Sequence, residues 1–289
     1  TTQYFARFNA GFDGGGVNRI YNENGKLLVT GSFRYFVARQ YDKPNFLETR
    51  DTIIVDSTEV RQFARLNLDG TLDKAYRFDR GTNKSLTGGN GSIDTYYHQE
   101  GPLKGKMLVF GNFNQFDGEP ASYILRLNVD GTIDRTFNAG GAGFDFETYY
   151  ASYNSITRKY VICGNFRTYN GLSRVAMVML NDNGSLDETF VPRVFENGLP
   201  RFAKQLSDGL IIVSGTFIKY DGKVRNRFMV LSPDGSLAVG YNAVGTFGGD
   251  LYNVFETESA DKKRALLLIG NFWQFDGKDA ANIIRVLIE

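Results

Sequence analysis

Five copies of a Gly-x-Phe tripeptide recur along this 289-residue chain, each directly after a run of aliphatic residues. The five copies begin at Gly31, Gly111, Gly164, Gly215 and Gly270. In the second, third and fourth copies an Asx-Gly dipeptide starts 19 positions after the glycine, and in the first copy it starts 38 positions after it. A fixed internal period indicates one supersecondary unit stacked several times. It constrains the fold of this chain more than any other sequence feature.

The repeat between residues 144 and 190 shows what one unit contains. Four segments carry strand signals: one around Phe146–Ser152, Tyr160–Cys163, Ala176–Leu180, and one around Leu186–Phe190. Asn170-Gly171 separates the second segment from the third, and Asn183-Gly184 separates the third from the fourth. Asx-Gly dipeptides between apolar runs predict tight hairpins. The unit is therefore predicted to be a four-stranded antiparallel meander.

Unit size distinguishes two repeat architectures. A solenoid coil uses about 20–30 residues and one strand, whereas a β-propeller blade uses four strands in roughly 40–50 residues. Second strands such as Met107–Phe110 are apolar at every position, which is expected of a strand buried on both faces. We therefore predict an all-β fold, a five-bladed β-propeller of four-stranded antiparallel blades.

The two ends of the chain predict how the ring closes. The fifth copy stops at its third strand, within Asn282–Ile288, whereas Phe8-Asn9 repeats the Phe137-Asn138 that ends a fourth strand. Residues 2–8 would then complete the last blade and remove an open sheet edge. We expect residues 1–289 to form one domain, with a 19-residue insertion at about residues 37–58 of the first blade.

A longer phrase carries a family resemblance. Arg-Leu-Asn-x-Asp-Gly-Thr-(Leu/Ile)-Asp occurs at Arg65–Asp73 and Arg126–Asp134, and more loosely at Asn181–Asp187. Followed by Phe137-Asn138, it resembles the delta-60 repeat and the β-propeller domains of unknown function in surface lipoproteins of Bacteroidetes. The resemblance covers essentially the whole chain. It implies a bacterial protein exported to the periplasm or cell surface, with a lipid anchor at the outer membrane in the full-length protein, and it supplies no catalytic motif.

Composition excludes several functional classes. Lys and Arg number 33 against 32 Asp and Glu and are dispersed among them, so no basic stripe for nucleic acid is expected. No apolar run approaches the roughly 18 residues of a membrane span. The single cysteine, Cys163, excludes an internal disulfide, and its place in an apolar strand predicts a packed, unreactive side chain. We expect a monomer that needs no cofactor.

Irregular loops are predicted to gather on one face of the propeller. Second-to-third-strand hairpins share a face with the connections from each fourth strand to the next first strand. That face would carry four long segments, which are the insertion within Val37–Thr58, Arg80–Ser92, Ala139–Phe144 and Val191–Leu199. Variable loops on a regular scaffold concentrate binding residues. We therefore place any ligand site there, with the insertion packed over the face or forming an extra hairpin.

An acid and a tyrosine recur near the start of three first strands. The tripeptides are Asp94-Thr95-Tyr96, Glu147-Thr148-Tyr149 and Asp250-Leu251-Tyr252. First strands line a propeller's central channel, so these side chains are predicted to form one polar, aromatic pocket near the axis, suited to a sugar or a cation. The alternative is that they pack and hydrogen-bond between blades. Arg19 and Arg201 replace the acids in the remaining copies and could pair with them.

The rarest residue types add little chemistry. Trp273, the only tryptophan, is predicted to be exposed near the end of a second strand, where it would stack on a sugar ring or cover the blade edge. His98, the only histidine, is expected to be a structural hydrogen-bonding residue, with a role as a base as the alternative. One histidine and one cysteine exclude a zinc site, and the nucleophile-elbow motif Gly-x-Ser-x-Gly is absent from the sequence. No catalytic residue or metal ligand is predicted.

These observations favour a non-catalytic module that binds a glycan or a protein. One alternative is a glycosidase-like carbohydrate-active enzyme with paired carboxylates at the channel mouth, for which Asp94, Glu147 and Asp250 are the candidates. The other is a structural spacer or docking platform in a larger lipoprotein. The candidate ligand-binding residues are Tyr96, Tyr149, Tyr252, Asp94, Glu147, Asp250, Arg201 and Trp273.

Overall fold

The structure, a computed structural model, describes residues 10–41, 52–243 and 245–288. All regular secondary structure in these residues is β, so the predicted all-β fold is confirmed. Backbone contacts divide the chain into two compact units. The first holds residues 1–121 and 125–134, and the second holds residues 122–124 and 135–289.

The first unit contains the first two repeats. Its strands are β1 (Ala10–Asp13), β2 (Val17–Glu23), β3 (Lys26–Gly31), β4 (Tyr35–Tyr41), β5 (Thr52–Glu59), β6 (Phe63–Asn67), β7 (Ser92–Tyr97), β8 (Met107–Asn112), β9 (Gln115–Phe116), β10 (Glu119–Pro120) and β11 (Ile124–Leu127). The main antiparallel sheets have the orders β2-β3-β6 and β7-β8-β11.

The second unit contains the remaining three repeats. Its strands are β12 (Thr148–Asn154), β13 (Lys159–Gly164), β14 (Thr168–Tyr169), β15 (Leu172–Ser173), β16 (Met177–Asn181), β17 (Phe195–Glu196), β18 (Pro200–Gln205), β19 (Ile211–Gly215), β20 (Lys219–Tyr220), β21 (Lys223–Val224), β22 (Phe228–Leu231), β23 (Phe247–Glu258), β24 (Arg264–Phe275), β25 (Lys278–Asp279) and β26 (Ile283–Leu287). Three main sheets result, with the orders β12-β13-β16, β18-β19-β22 and β23-β24-β26.

In the first four repeats, the segment after the third strand does not form the predicted full fourth strand. It makes a single antiparallel bridge to that strand, as between Leu180 and Leu186. Asp187 then turns the chain, because its carboxylate accepts hydrogen bonds from the backbone N–H of Thr189, at 3.1 Å, and from the Thr189 hydroxyl, at 2.6 Å. This local side-chain bonding competes with continued strand pairing. The Asp of the repeated phrase therefore stabilises a turn, as predicted from its loss at Ala238.

Short hairpins join the second and third strands of each repeat. The predicted turn at Asn170-Gly171 is confirmed, since both residues have positive φ, 49° and 78°, as a two-residue hairpin requires. In the first repeat the inserted residues lengthen this hairpin into the β4–β5 pair, whose residues 42–51 lie outside the described part. Connections into the next first strand pair with these hairpins, as between Phe144 and Tyr169. Hairpins and connections thus share one end of the sheets, as predicted, which we call the hairpin end.

The Gly-x-Phe motifs fix the first strand against the second. A Cβ atom added to any of the five glycines would lie 2.1–2.4 Å from a backbone carbonyl oxygen of the first strand or of the residue just before it. Only glycine allows the two backbones to approach this closely. The phenylalanine two residues later is buried in every copy. Its carbonyl accepts a backbone hydrogen bond at the start of the third strand, as Phe166 does from Ala176 at 2.9 Å. The predicted backbone role of the glycine and core role of the phenylalanine are confirmed.

Apolar clusters join neighbouring repeats inside each unit. In the second unit, Val161 and Met179 of the third repeat pack with Val213 and Met229 of the fourth. Cys163 belongs to this cluster and is fully buried, and burial raises the pKa of its thiol. The cysteine is therefore a packed core residue, as predicted.

Candidate functional site

Four first strands carry a β-bulge at the same structural level. Each bulge immediately follows the residue that pairs with the Gly-x-Phe glycine, and the pairing of β7 with β8 is regular. A bulged residue has no partner in the ladder. The bulged residues are Asn18 in β2, Tyr149 in β12, Arg201 in β18 and Tyr252 in β23. Three of the eight predicted site residues thus occupy equivalent, unpaired positions in the second unit.

The acid of the second repeat does not share the register of the other two. Glu147 and Asp250 directly precede the residue that pairs with the glycine, whereas Asp94 follows it and pairs with Phe110. The recurring acid-x-Tyr pattern therefore joins residues that are not structurally equivalent. In register, Asp94 corresponds to Arg19, which pairs with Thr30.

Tyr149, Glu147 and Arg201 form a connected group in the second unit. The Tyr149 hydroxyl donates a hydrogen bond of 2.9 Å to a Glu147 carboxylate oxygen. The guanidinium carbon of Arg201 lies 3.9 Å from the centre of the Tyr149 ring, a cation–π distance. Partial burial, together with the hydrogen bond to Glu147, raises the pKa of Tyr149. The group combines an aromatic ring, a carboxylate and an exposed cation near the hairpin end.

Neighbouring first strands hold this group in place. The Ser152 hydroxyl donates to the carbonyl of Ala203 at 2.8 Å, and the Asn154 side chain donates to the carbonyl of Leu206 at 2.8 Å. These bonds fix β12 beside β18, which sets the position of Arg201 over the tyrosine ring.

Asp250, Tyr252 and Trp273 lie in the fifth repeat. Asp250 is exposed, and one of its oxygens is 3.6 Å from a terminal nitrogen of Arg227. Tyr252 is 58% exposed and Trp273 is 64% exposed, which makes both available for stacking. The prediction that Trp273 lies at the surface near the end of a second strand is confirmed. The structure does not pair Asp250 with Arg201, which the sequence offered as a partner for the acids.

Asp94 and Tyr96 lie in the first unit. Arg19 binds Asp94 through two hydrogen bonds, of 3.1 Å from Nε and 2.8 Å from a terminal nitrogen. The expected pairing of Arg19 with an acid is confirmed. Tyr96 is half-buried, and its ring makes an edge contact with His98 at 5.2 Å between centroids. The convergence of Asp94 and Tyr96 with the other predicted residues in one pocket stays a prediction.

Comparison with known families identifies the repeat. The family model described as a domain of unknown function (DUF5122) β-propeller matches residues 105–137, 157–190 and 206–237. Three of the repeats are therefore similar to the repeat of this family. This confirms the predicted resemblance to a repeat-type β-propeller domain of unknown function. None of the curated proteins matches the chain.

One solved structure aligns along most of its length. The computationally designed protein Ika8 has 8% sequence identity to this chain and a TM-score of 0.36, with 96% of this chain and 98% of that chain covered. Similarity at this level identifies no common fold. The assignment to the propeller class rests on the DUF5122 repeats.

The only histidine of the chain is buried in the first unit. His98 follows β7, and its backbone N–H donates to the carbonyl of Lys106 at 3.0 Å. Burial, together with the cations of Arg126 and Lys106, lowers the pKa of the imidazole to about 3. His98 is therefore a neutral structural residue at physiological pH.

The described residues contain neither a candidate metal-binding cluster nor a long apolar helix. No group of three or more His, Cys, Asp or Glu in residues 10–41, 52–243 and 245–288 is arranged to hold a metal ion. Within the same ranges, no helix has the length and hydropathy needed to cross a membrane.

An apolar cavity of about 370 Å³ lies beside β26. Val230, Leu266 and Val286 are among the residues that line it. Val286 pairs with Leu266. In each of the other four repeats, the third-strand residue at this position forms the single bridge to the fourth segment. Those bridges are Leu66 to Leu72, Leu127 to Ile133, Leu180 to Leu186 and Leu231 to Leu237. In the described part of the fifth repeat, Val286 has no corresponding partner.

Sequence reasoning missed Arg227 and the register of the first strands. Arg227 partners Asp250, but the equivalent residue of the third repeat is Ala176, so no repeat pattern marks it. The register was hidden because the turn between first and second strands differs in length, from two residues after Glu23 to nine after Tyr97. Because the turn length varies, the position of the Gly-x-Phe glycine in the sequence does not show which first-strand residue pairs with it. The bulge next to that residue therefore could not be located from the sequence.

Proposed function

We propose that this chain is a non-catalytic binding module for a glycan, with its site at the hairpin end of the second unit. The observation that carries the proposal is the set of first-strand bulges, which present Tyr149, Arg201 and Tyr252 outside the ladder. Exposed aromatic rings beside charged, hydrogen-bonding groups are the mixture that sugar sites use. Glu147, Asp250 and Trp273 complete the site in this proposal, and Asp94 and Tyr96 extend it in the assembled propeller.

The state of the carboxylates supports binding rather than glycoside hydrolysis. A glycosidase needs one carboxylic acid whose pKa is raised, usually by burial. Asp94 is held by Arg19, Asp250 lies near Arg227, and Glu147 accepts the Tyr149 hydroxyl. None of the three carboxylates is buried. The three side chains therefore lack the buried setting of a glycosidase acid, and their oxygens are placed to accept hydrogen bonds from hydroxyl groups.

The complete fold in this proposal is one propeller of five blades, formed by residues 1–289. Residues 2–8, which lie outside the described part, complete the fifth blade. Tyr4 and Phe8 have the spacing of Leu72 and Tyr76 in the first repeat, and an apolar cavity lies beside Val286, where a bridging side chain would insert. Pairing there would also protect the edge of β26.

The cellular setting follows from the family resemblance. The protein is exported to the periplasm or surface of a bacterium, where the full-length form is lipid-anchored and displays the module as a monomer. A protein ligand at the same face and a purely structural role remain outcomes of the test below.

A glycan array probed with the purified chain tests the function. We expect selective binding to one saccharide class, lost in Tyr252→Ala and Trp273→Ala and retained in Ile156→Ala. Ile156 is a suitable control because it is exposed and lies in the turn at the other end of β12. Absence of binding to any glycan, or equal binding by all three variants, would show that the proposal is wrong.

A further inference from the structure

Among the described residues, Arg201 has no acidic partner, unlike Arg19 and Arg227. Arg19 binds Asp94, and Arg227 lies 3.6 Å from Asp250. Arg201 is exposed, and within the described residues it forms no ion pair with a carboxylate. Arg201 instead contacts the ring of Tyr149, which positions the guanidinium group. The positive charge of the guanidinium is not neutralised by this contact. A planar guanidinium fixed in this way is suited to bind an anion through two parallel hydrogen bonds.

The stretch of sequence that contains Arg201 has an excess of positive charge. Residues 191–228 contain seven Lys or Arg and three Asp or Glu, whereas the chain as a whole is nearly balanced. Lys219, Lys223 and Arg225 lie on or directly after the β20–β21 hairpin, and Lys219 is 3.9 Å from a carboxylate oxygen of Glu196. The backbone N–H of Thr216, three residues before this hairpin, donates to the carbonyl of Leu199, directly before β18, at 2.9 Å. Local excess charge of this kind raises the concentration of an oppositely charged ligand at the site.

The neighbouring groups suit a sugar rather than a simple anion. Glu147 accepts one hydrogen bond from Tyr149, and a carboxylate has further acceptor capacity for a sugar hydroxyl. Exposed Tyr252 offers an aromatic face in the same unit. Glu147 would repel a polyanion that has no hydrogen-bond donors. An acidic saccharide also has hydroxyl groups, and one of these can donate a hydrogen bond to Glu147.

We propose that the site binds an acidic saccharide, with a carboxylate or sulfate group on the guanidinium of Arg201 and a hydroxyl on Glu147. This inference rests on the proposed glycan-binding function and specifies its ligand class.

The test is calorimetric titration of the intact chain with hexagalacturonate and with its fully methyl-esterified form, which keeps the sugar skeleton and removes the charge. We expect the acid form to bind at least tenfold more tightly, and its binding to weaken as salt is raised, because the site is exposed. Arg201→Ala should lose at least tenfold in affinity for hexagalacturonate. Arg201→Lys should lose less, because it keeps the charge without the planar pair of donors.

Two controls and two further ligands separate the possible outcomes. Arg158→Ala removes an exposed arginine that pairs with Asp182 away from the site, and it should bind like the wild type. Thermal melting followed by circular dichroism identifies any variant that is unfolded. If Arg201→Ala is unfolded, the affinity of Arg201→Lys is compared with that of the wild type instead. A sulfated oligosaccharide in place of hexagalacturonate shows which acidic group is preferred. Hexaglutamate measures attraction to charge alone and should bind at least tenfold more weakly.

Three results would overturn the inference. Equal affinity for the acid and the ester, an Arg201→Ala affinity within twofold of the wild type, or equally tight binding of hexaglutamate would each do so. If neutral glycans bind through Tyr252 and Trp273 while acidic glycans do not, the proposed function stands and this inference is wrong. If no saccharide binds, both are wrong.

Discussion

The buried ion cluster around Asp134 yields a quantitative prediction. Asp134 Oδ2 lies 2.7 Å from Lys106 Nζ and 2.7 Å from Arg126 Nε, and the side chains of Asp134 and Arg126 are 2% and 3% exposed. The first repeat has the same three groups, Lys26, Arg65 and Asp73. Removing only the aspartate would leave a buried guanidinium without its carboxylate.

The fourth repeat has uncharged residues at the same positions. Its equivalent positions are Leu210, Val230 and Ala238, and Ala238 makes the same backbone hydrogen bond to Val230 that Asp134 makes to Arg126. The chain therefore contains both a charged and an apolar solution for one structural position.

We expect Asp134→Ala to lower the free energy of unfolding by about 3–5 kcal/mol, because breaking a buried pair leaves an uncompensated charge. The triple variant Lys106→Leu, Arg126→Val, Asp134→Ala should cost less than about 1.5 kcal/mol, since apolar replacement of a whole buried ion cluster is often neutral. Urea denaturation followed by circular dichroism measures both. A single variant within 1 kcal/mol of the wild type, or a triple variant as unstable as the single one, would refute the reasoning.

Four further predictions concern the fold. In the folded protein His98 stays neutral, because its pKa is about 3, whereas in the unfolded chain it gains a proton near pH 6.5. The free energy of unfolding should therefore fall by up to about 1.4 kcal/mol per pH unit as the pH is lowered from 6.5 to 5. Urea titrations of His98→Gln should no longer show this slope. Gly164→Ala should lower the melting temperature clearly, whereas Gly16→Ala, which places its methyl group in open space, should not; equal shifts would contradict the close-approach argument. Phe166→Ala should cost about 3–5 kcal/mol in urea denaturation, and a cost below about 1 kcal/mol would show that its core role is misassigned. Deleting residues 1–8 should expose the cavity beside β26, lower the melting temperature and increase binding of a hydrophobic dye; a melting temperature within two degrees of the intact chain would contradict closure of the ring.

Features set by local chemistry were predictable from sequence. Asn170-Gly171 forms its hairpin because only certain residues accept two successive positive φ values. The Gly-x-Phe motif encodes a close backbone approach and a buried ring, and both were recognisable from an apolar run ending in glycine. The extended hairpin at residues 35–59 follows from apolar segments inside the insertion.

Features set by competition or by turn length were not predictable. The fourth segment looks like a strand, but the hydrogen bonds that Asp187 makes to Thr189 turn the chain after one bridge. The bulges that expose Tyr149 and Arg201 depend on pairing across turns of unequal length. The candidate site is therefore only partly encoded in the repeat pattern, and its individual residues, such as Arg227, lie where the repeats differ.

Hydrogen exchange with mass spectrometry, in the presence and absence of saturating hexagalacturonate, tests the central claim most directly. The account predicts slower exchange in peptides spanning residues 145–154, 198–206 and 247–254, where the bulged first strands lie. Peptides of the Asp-Gly turns at 69–71 and 130–132 should be unaffected. Protection confined to those turns, or no protection anywhere at saturating ligand, would contradict a binding site at the hairpin end.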